Sequence, residues 1–218
     1  MMFSLIRYEF KHVVINKQKE ERRMVVSRGK WILILFAVSS LIFSCAYQAR
    51  AEVLMVDDFN SAQKPNKLGG DFGAWNADPN DTTQGCVDSF DSKNAYGGKG
   101  YALRLDYDVD SPNPAYNGFW EKLVVVNLKC YTKISFYVKG DKESGYTTKF
   151  KIDLKNSKEA GKYVVDGIDS SWKKIEIPLK ESTGINDLSS MQEFVIVFDD
   201  TTVTRKVGTI YIDDLCFE

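Results

Sequence analysis

The stretch "KISFYVKG", Lys133 to Gly140, alternates apolar and polar residues: Ile134, Phe136 and Val138 are separated by polar or small-polar positions. Successive side chains of a β-strand point to opposite faces, so this period of two predicts a strand with one buried face. The stretch "TKFKIDLK", residues 148–155, repeats the pattern after a turn-rich link. Each of the two segments therefore predicts a strand with one buried face.

The same alternation continues through the chain after residue 52, in "YALRLDYDV", "WKKIEIPL" and "GTIYIDDLCF". "EFVIVF", residues 193–198, is apolar on both faces and predicts a central strand, whereas Pro178 predicts a strand end or a sheet edge. Turn residues lie between these segments, in "GGDFG", "DPND", "YGGKG", "SPNP" and "KGDKESG". No helical periodicity follows residue 52. The pattern predicts an all-β fold, an antiparallel β-sandwich, in one domain over residues 52–218.

The first 51 residues predict an N-terminal extension and a secretion signal. A basic segment precedes thirteen mostly apolar residues, Trp31 to Phe43, which are too few for a comfortable membrane span. Met24 is a better start for such a signal than Met1, in which case residues 1–23 are not translated. Cleavage after Ala51 is favoured. One alternative is lipidation of Cys45, although Phe43 is bulky for that motif. The other is a retained anchor. The mature protein is expected to be periplasmic or extracellular.

Removal of this segment removes His12, the one histidine of the chain. Hydrolases that use histidine as the base, and histidine-ligated zinc sites, are therefore excluded for the mature chain. Residues 52–218 hold 20 Lys and Arg against 27 Asp and Glu, a formal charge of −7. This acidic balance argues against nucleic acid as a partner.

Four cysteines occur, at positions 45, 86, 130 and 216. Their spacing matches neither a metal site nor a redox pair. A disulfide between Cys86 and Cys130 is left open by the sequence, and Cys216, between Leu215 and Phe217, is expected to be a buried small residue.

Two long irregular stretches, residues 61–83 and 111–119, carry aromatic residues among glycine and asparagine: Trp75, Tyr116 and Phe119. Long loops of a compact sandwich are often functional, so these aromatic residues are candidates for ligand contact. For Trp75, the alternative is that the indole covers the edge of the core.

Paired aspartates lie in the first and last segments, "VDDFN" (residues 56–60) and "IDDLCF" (residues 212–217). A buried carboxylate without a partner is costly. The pairs therefore predict either solvated strand ends or a positive group that holds the two segments together.

The motifs "VDDFN", a tryptophan in the next stretch, "YNGFW", "KISFYVKG", "KFKI", "SWKKIEIPL" and "TIYIDDLCF" occur in that order. Residues 53–218 thereby resemble family 11 carbohydrate-binding modules and the related domain of complex I intermediate-associated proteins. The resemblance implies a jelly roll of the galactose-binding-like type. It also implies that a structural calcium bridges the first and last strands through Asp58 and Asp213, with Asn60 where the family often has glutamate. Asp57 and Asp214 would then point toward solvent or neighbouring loops.

The resemblance implies β-glucan binding in an open cleft on one sheet. Phe119 matches the tyrosine of a Gly-Tyr-Trp motif, with Trp120 facing the core, and Phe198 matches a tyrosine that ends the penultimate strand. Both positions keep a stacking ring and lose a hydroxyl group. The strand parity of Phe198 also fits a place in the core.

Further candidates are the polar residues on the non-core side of their strands: Arg104, Asp106, Lys149, Lys151 and Asp153. The alternative for these residues is an ordinary solvated face. A cleft rich in lysine and aspartate suits an acidic or a heavily hydroxylated glycan.

The sequence therefore predicts an exported, non-catalytic domain that binds a polysaccharide and contains calcium, without a membrane span in its mature form. The main alternative is a cell-envelope or assembly protein that uses the same sandwich to bind a protein partner. Paired carboxylates could support glycoside hydrolysis, but no motif selects two of them, so an enzyme is not favoured.

Overall fold

The computed structural model describes residues 53–218. The predicted signal, the Met24 start, Cys45 and the cleavage position after Ala51 lie outside the described residues. Within them, the chain forms eleven strands and two short 3₁₀ turns. The strands are β1 Leu54–Asp57, β2 Phe72–Asn76, β3 Gly85–Asp91, β4 Ala102–Asp108, β5 Tyr116–Val126, β6 Lys133–Gly140, β7 Lys149–Lys155, β8 Ala160–Asp166, β9 Lys173–Pro178, β10 Met191–Asp199 and β11 Val207–Phe217.

The strands form two antiparallel sheets, which confirms the predicted β-sandwich. One sheet has the order β3-β4-β11-β6-β9, with β1 also paired to β11; the other has the order β2-β5-β10-β7-β8. Strand β10 lies in the centre of the five-stranded sheet, as its two apolar faces predict. Strand β9 is an edge strand that ends at Pro178, which has no N–H for a further ladder bond.

The core lies between the sheets and consists of the inward-facing residues of both. Leu105 and Ile212 of the six-stranded sheet and Ile152 and Ile196 of the five-stranded sheet are at most 2% exposed. Each such aliphatic side chain contributes about 1.5–3 kcal/mol by leaving water. Because the inner faces are buried in this way, the outer faces of the two sheets are the surfaces left for binding.

The predicted contact between the first and last strands is confirmed, since β1 pairs with β11 in antiparallel register. The pairing is irregular beside Asp57, and the pairing of β11 with β6 shifts between Asp213 and Cys216. Phe59 and Asp214 have positive φ angles of 49° and 50° at these irregularities. The chain thus bends at both acidic pairs, and strict alternation of side chains fails there.

Several local expectations were wrong. Strand β2 lies inside the stretch predicted to be a loop, so Trp75 is a strand residue; Tyr116 and Phe119 are likewise on β5. Strand β8 was not anticipated because its sequence, "AGKYVVD", alternates poorly. Among the described cysteines, Cys86, Cys130 and Cys216 are free, and Cys216 is buried as expected. In residues 53–218, no helix has the length and apolar character to cross a membrane.

Candidate functional site

The outer face of the five-stranded sheet has a floor of glycine and tryptophan. Cross-strand pairing places Trp75 of β2 opposite Gly118 of β5, and Trp120 of β5 opposite Gly73 of β2. A Cβ atom at Gly118 would lie 1.9 Å from the carbonyl oxygen of Ile196 and 3.3 Å from Nε1 of Trp75. Only glycine therefore allows this close approach of strand and indole.

Trp75 and Tyr116 form an aromatic pair beside this floor. Their ring centroids are 5.9 Å apart at 63°, an edge-to-face arrangement, and Tyr116 is 48% exposed. Both rings line a surface cleft of about 540 Å³ that continues across Val197 toward β7 and β8. Nε1 of Trp75 is buried and has no acceptor among the described residues.

The far wall of the cleft is charged and partly fixed by an ion pair. Lys151 Nζ lies 2.9 Å from Asp199 Oδ2, and the Asp199 side chain is only 12% exposed. The backbone N–H of Thr202 and the hydroxyl of Thr201 donate to the other oxygen of Asp199. Burial alone would raise the pKa of Asp199. The hydrogen-bond donors and Lys151 together lower it and keep the carboxylate ionised.

Asp153 lies in the cleft without a direct partner for its carboxylate in the described part of the chain. Burial raises its pKa, while the nearby charges of Lys155, Lys162 and Lys151 act in the opposite direction. Within residues 53–218, Asp153 makes no ion pair or side-chain hydrogen bond, and Lys162, opposite it in the register, makes no ion pair. The cleft thus combines an aromatic wall with an acceptor and a donor that are both unpaired.

Trp120 also points outward, but lysines cover its ring. Nζ of Lys64 and Nζ of Lys122 lie 5.9 and 5.3 Å from the ring centroid. Asp71 holds Lys64 at 2.7 Å, and Glu193 holds Lys122 at 2.7 Å. Lysines thus lie over the Trp120 ring, whereas Trp75 borders the cleft.

Beneath Trp120, a buried carboxyl group fastens the preceding loop to β5. Nδ2 of Asn66 donates to Glu121 Oε1 at 3.1 Å and to the carbonyl of Lys122 at 2.9 Å, and Gly70 N–H donates to Asn66 Oδ1. Glu121 is fully buried, and its Oε2 has no partner among the described groups. Burial, reinforced by the charge of Asp57, raises the pKa of Glu121 to about 8.

The predicted stacking role of Phe119 is wrong, and for Phe198 the structure confirms the alternative, a place in the core. Both side chains are 0% exposed. Phe119 packs against Phe72, and Phe198 stacks on Tyr107 with centroids 4.2 Å apart. Phe119 faces inward, and Trp120 faces outward, the reverse of the expectation.

Arg104 and Asp106 do not share a site with Lys151 and Asp153. Strand β4 belongs to the six-stranded sheet, so both side chains lie on the opposite outer face of the sandwich. There Arg104 binds Asp106 through two nitrogens at 2.9 Å, and the hydroxyl of Thr209 donates to Asp106. Lys149, on the cleft side, pairs with Asp166 at 3.1 Å.

The acidic pairs of β1 and β11 come close together in part. Burial raises the pKa of Asp213 to about 6, and the negative charges of Asp214 and Asp58 act in the same direction. Asp58 is held by Lys67 at 2.8 Å, and the N–H of Tyr96 donates to Asp213 Oδ2. Asp57, expected toward solvent or neighbouring loops, is only 3% exposed.

The predicted calcium ligands can be tested against this arrangement. In the described part of the chain, no group of three or more His, Cys, Asp or Glu side chains is placed to hold one metal ion. Among residues 53–218, Asp213 nevertheless accepts only from backbone N–H groups and has no basic partner. The side-chain oxygen of Asn60 lies close to Gly100, where a Cβ would be 1.6 Å from it. These residues fit a calcium site only if the side-chain oxygen of Asn60 and backbone carbonyl oxygens join the aspartates as ligands.

Several residues that line the cleft were not predicted from the sequence. Lys155, Lys162, Val197 and Asp199 line the cleft, but none was proposed. The parity of β10 contained the signal, since Val197 and Asp199 alternate with the buried Ile196 and Phe198. Lys162 could not be found without recognising β8.

Comparisons with known proteins agree on the class that this sandwich and its open cleft suggest. The profile of the family described as "Carbohydrate binding domain (family 11)" matches residues 46–192, more than half of the chain. A comparison with curated protein sequences gave no match.

Solved structures agree on the fold. The family 11 carbohydrate-binding module of the cellulosomal cellulase Lic26A-Cel5E of Clostridium thermocellum is 20% identical, with a TM-score of 0.57, over 78% of this chain and 95% of that one. The Clostridium thermocellum module in complex with a β-1,3-1,4-mixed-linked tetrasaccharide is 18% identical, with a TM-score of 0.58, over 78% and 96%. An exo-β-agarase matches at 13% identity and a TM-score of 0.55, over 76% of this chain and 24% of that one.

These findings place the chain among carbohydrate-binding β-sandwich domains. It belongs to the family 11 carbohydrate-binding domains.

Proposed function

We propose that this protein binds a polysaccharide chain in the cleft on the outer face of the five-stranded sheet, without acting on it chemically. The observation that carries the proposal is the Trp75–Tyr116 pair facing the polar wall of Lys151, Asp153 and Asp199. Sugar rings have an apolar face that packs on aromatic rings, and hydroxyl groups that need donors and acceptors. The cleft offers both.

The tetrasaccharide complex of the Clostridium thermocellum module supports this proposal, because that domain has the same fold and binds an oligosaccharide. A mixed-linkage β-glucan is therefore the first ligand to try. Because Phe119 and Phe198 are buried in the core, Trp75 and Tyr116 are the aromatic rings that line the cleft.

Affinity electrophoresis and calorimetry of the purified protein against soluble glucans, xylans, mannans, galactans and uronic-acid polymers test this function. We expect at least one to bind, and Trp75→Ala to abolish that binding. Trp172→Ala is the matched control, since Trp172 packs against Tyr96 on the opposite face. Lack of binding by the folded wild-type protein to every polymer would contradict the proposal and favour a protein partner.

A structural calcium near Asp58, Asn60 and Asp213 is a second part of the proposal. It is supported by the mutual repulsion of Asp58, Asp213 and Asp214 in a partly buried place. When bound, the ion would supply the positive charge that Asp213 lacks. Melting of the purified protein with calcium and with chelator is the test: we expect calcium to raise the melting temperature, and Asp213→Asn to remove that shift. Equal melting in both buffers would contradict the metal.

We also propose that the protein acts outside the cytoplasm, on the basis of the basic and apolar segments that precede Ala51. Cell fractionation with a Cys45→Ala variant tests this location. Release of the variant from membranes would support the lipid anchor, and unchanged soluble export would support cleavage after Ala51.

A further inference from the structure

Two tryptophans on the outer face of the five-stranded sheet pack over the neighbouring strand in the same way. Trp75 of β2 lies opposite Gly118 of β5, and Trp120 of β5 lies opposite Gly73 of β2. A Cβ atom at Gly118 would be 3.3 Å from Nε1 of Trp75, and one at Gly73 would be 3.7 Å from Cζ2 of Trp120. Both indoles are partly exposed. Each therefore covers a glycine and keeps part of its surface available above the sheet.

The two indoles are close neighbours. Trp120 follows Gly118 at the next outward position of β5, so it is the diagonal cross-strand neighbour of Trp75, and such positions are about 7–8 Å apart. Tyr116, at the outward position before Gly118, contacts Trp75 edge to face. Tyr116 and Trp75 line the cleft, and Trp120 continues this row of rings beyond it.

The surface of Trp120 is covered by two lysines, of which Lys64 is held only by an exposed partner. Nζ of Lys64 and Nζ of Lys122 are 5.9 and 5.3 Å from the centroid of the ring. Lys64 pairs with Asp71, and these two side chains are 53% and 61% exposed. Exposed ion pairs and exposed cation–π contacts contribute little to stability. Lys64 can therefore move away from the ring with little loss.

A neutral sugar fits this place. Asp71 binds Lys64 and Glu193 binds Lys122, so each ammonium group over Trp120 has a carboxylate partner. An ammonium group has three donors, so Lys122 keeps donors for a hydroxyl group beside its contact with Glu193. A sugar ring on Trp120 would thus have an apolar surface beneath it and a donor at its edge.

We propose that Trp120 is a second sugar-stacking residue, which becomes available when Lys64 moves away from its ring. This inference rests on the proposed carbohydrate-binding function and extends the same site along β5. The cleft holds a short stretch of the polysaccharide, and Trp120 binds sugar units further along the chain. Affinity should therefore increase with the length of the oligosaccharide.

Oligosaccharides of two lengths measure this extension. Short and long chains prepared from mixed-linkage β-glucan, xylan, mannan and galactan are titrated into the purified protein by calorimetry. We expect the long chain of at least one polymer to bind about tenfold more tightly than its short chain, as one further aromatic contact provides. Trp120→Ala should remove this gain and leave the affinity of the short chain unchanged. Trp120→Phe, which keeps a ring over Gly73, should retain most of the gain.

Substitution of the covering lysine should have the opposite effect, and it leaves the packing of Trp120 on β2 intact. Because the ring of Lys64→Ala is available without displacement of a side chain, we expect the long chain to bind about threefold more tightly and the short chain as before. Lys129→Ala is the matched control, since Lys129 is a similarly exposed lysine that pairs with Asp187 outside the cleft. Unchanged or weaker binding of the long chain by Lys64→Ala would overturn the covering role of Lys64.

The outcomes separate this inference from the function on which it rests. If Trp75→Ala removes binding but Trp120→Ala binds both lengths as wild type does, the second stacking residue is overturned and carbohydrate binding stands. Equal weakening of short and long chains by Trp120→Ala would show that Trp120 only supports the sheet, and would overturn the inference as well. If no chain of either length binds to the folded protein, the proposed function fails and this inference fails with it.

Discussion

The two outer faces of the sandwich use the same residue types, aromatic, lysine and aspartate, to opposite effect. On the six-stranded sheet, Tyr96 stacks on Tyr137 with centroids 3.6 Å apart, and Lys139 lies over the rings of Trp172 and Tyr211. These groups satisfy one another. On the five-stranded sheet, by contrast, Asp153 and Lys162 lack ion-pair partners among the described residues, and Trp75 borders a cleft.

This difference is the reason for assigning the proposed binding surface to the five-stranded sheet, where Asp153 and Lys162 are left unpaired within the described residues. Composition alone does not separate the faces, because both carry aromatic rings and charges at outward strand positions. The glycines add a second difference: Gly118 and Gly73 leave room for the rings of Trp75 and Trp120, which pack over them from the neighbouring strand.

The largest expected effect concerns Glu121, in the layer beneath the cleft. Its pKa is 4.5 in the unfolded chain and about 8 in the folded state, so between these pH values the folded state binds more protons. Unfolding then releases a proton, and the contribution of this group to the free energy of unfolding falls as pH rises through the window. Each unit of pKa difference corresponds to about 1.4 kcal/mol, so we expect a decline of a few kcal/mol.

Urea unfolding of wild type and Glu121→Gln at several pH values measures this decline. The amide keeps the contact with Asn66 and cannot ionise, so the curve of the variant should be flatter between the two pKa values. Parallel curves would show that Glu121 does not titrate in this window, and that its unpaired oxygen is satisfied in another way.

Substitution of Gly118 should have the next largest effect on the free energy of unfolding. Gly118→Ala would put a Cβ atom 1.9 Å from the carbonyl oxygen of Ile196, so β5 and β10 must separate. We expect a loss of about 2 kcal/mol in the free energy of unfolding, as for other overpacked sites. Gly73→Ala is the control, because the nearest atom to its Cβ would be 3.7 Å away, in the Trp120 ring. Equal stability of the two variants would refute the role of Gly118 in close packing.

The aromatic wall can be compared directly between the faces. Tyr116→Ala removes the ring that supports Trp75 and should weaken polysaccharide binding about tenfold, or about 1.4 kcal/mol, in calorimetric titration. Tyr137→Ala removes a ring of the opposite face and should leave affinity unchanged. If Tyr137→Ala were the variant that lost affinity, the binding face would be the six-stranded sheet.

Most of the fold could be predicted from period-two segments, since β4, β6, β7 and β9 alternate cleanly. The error at Phe119 and Trp120 has a physical origin in the residue that follows them. Glu121 and Lys122 follow Trp120, and an outward Glu121 would also turn Phe119 outward, because side chains two apart share a face. The buried Glu121, neutral by its raised pKa and bound to Asn66, breaks the usual rule that charges face water. No pattern local to β5 discloses a partner 55 residues away.

The assignment of Arg104 and Asp106 failed for a different reason. Alternation reports which side of a strand faces water, but both outer faces of a sandwich face water. Only the order of strands assigns β4 to one sheet and β7 to the other, and that order depends on contacts distant in sequence.

The smallest expected effect concerns the outer face of the six-stranded sheet, which we expect not to bind polysaccharide. Arg104→Met removes a half-exposed ion pair with Asp106, whose side chains are 32% and 40% exposed, and should cost about 0.5 kcal/mol of stability. Its affinity for polysaccharide should equal that of wild type, because Arg104 lies across the core from Trp75. A measurable loss of affinity, with the melting temperature nearly unchanged, would mean that the ligand also reaches the six-stranded sheet, and that the contrast between paired and unpaired faces does not decide where sugar binds.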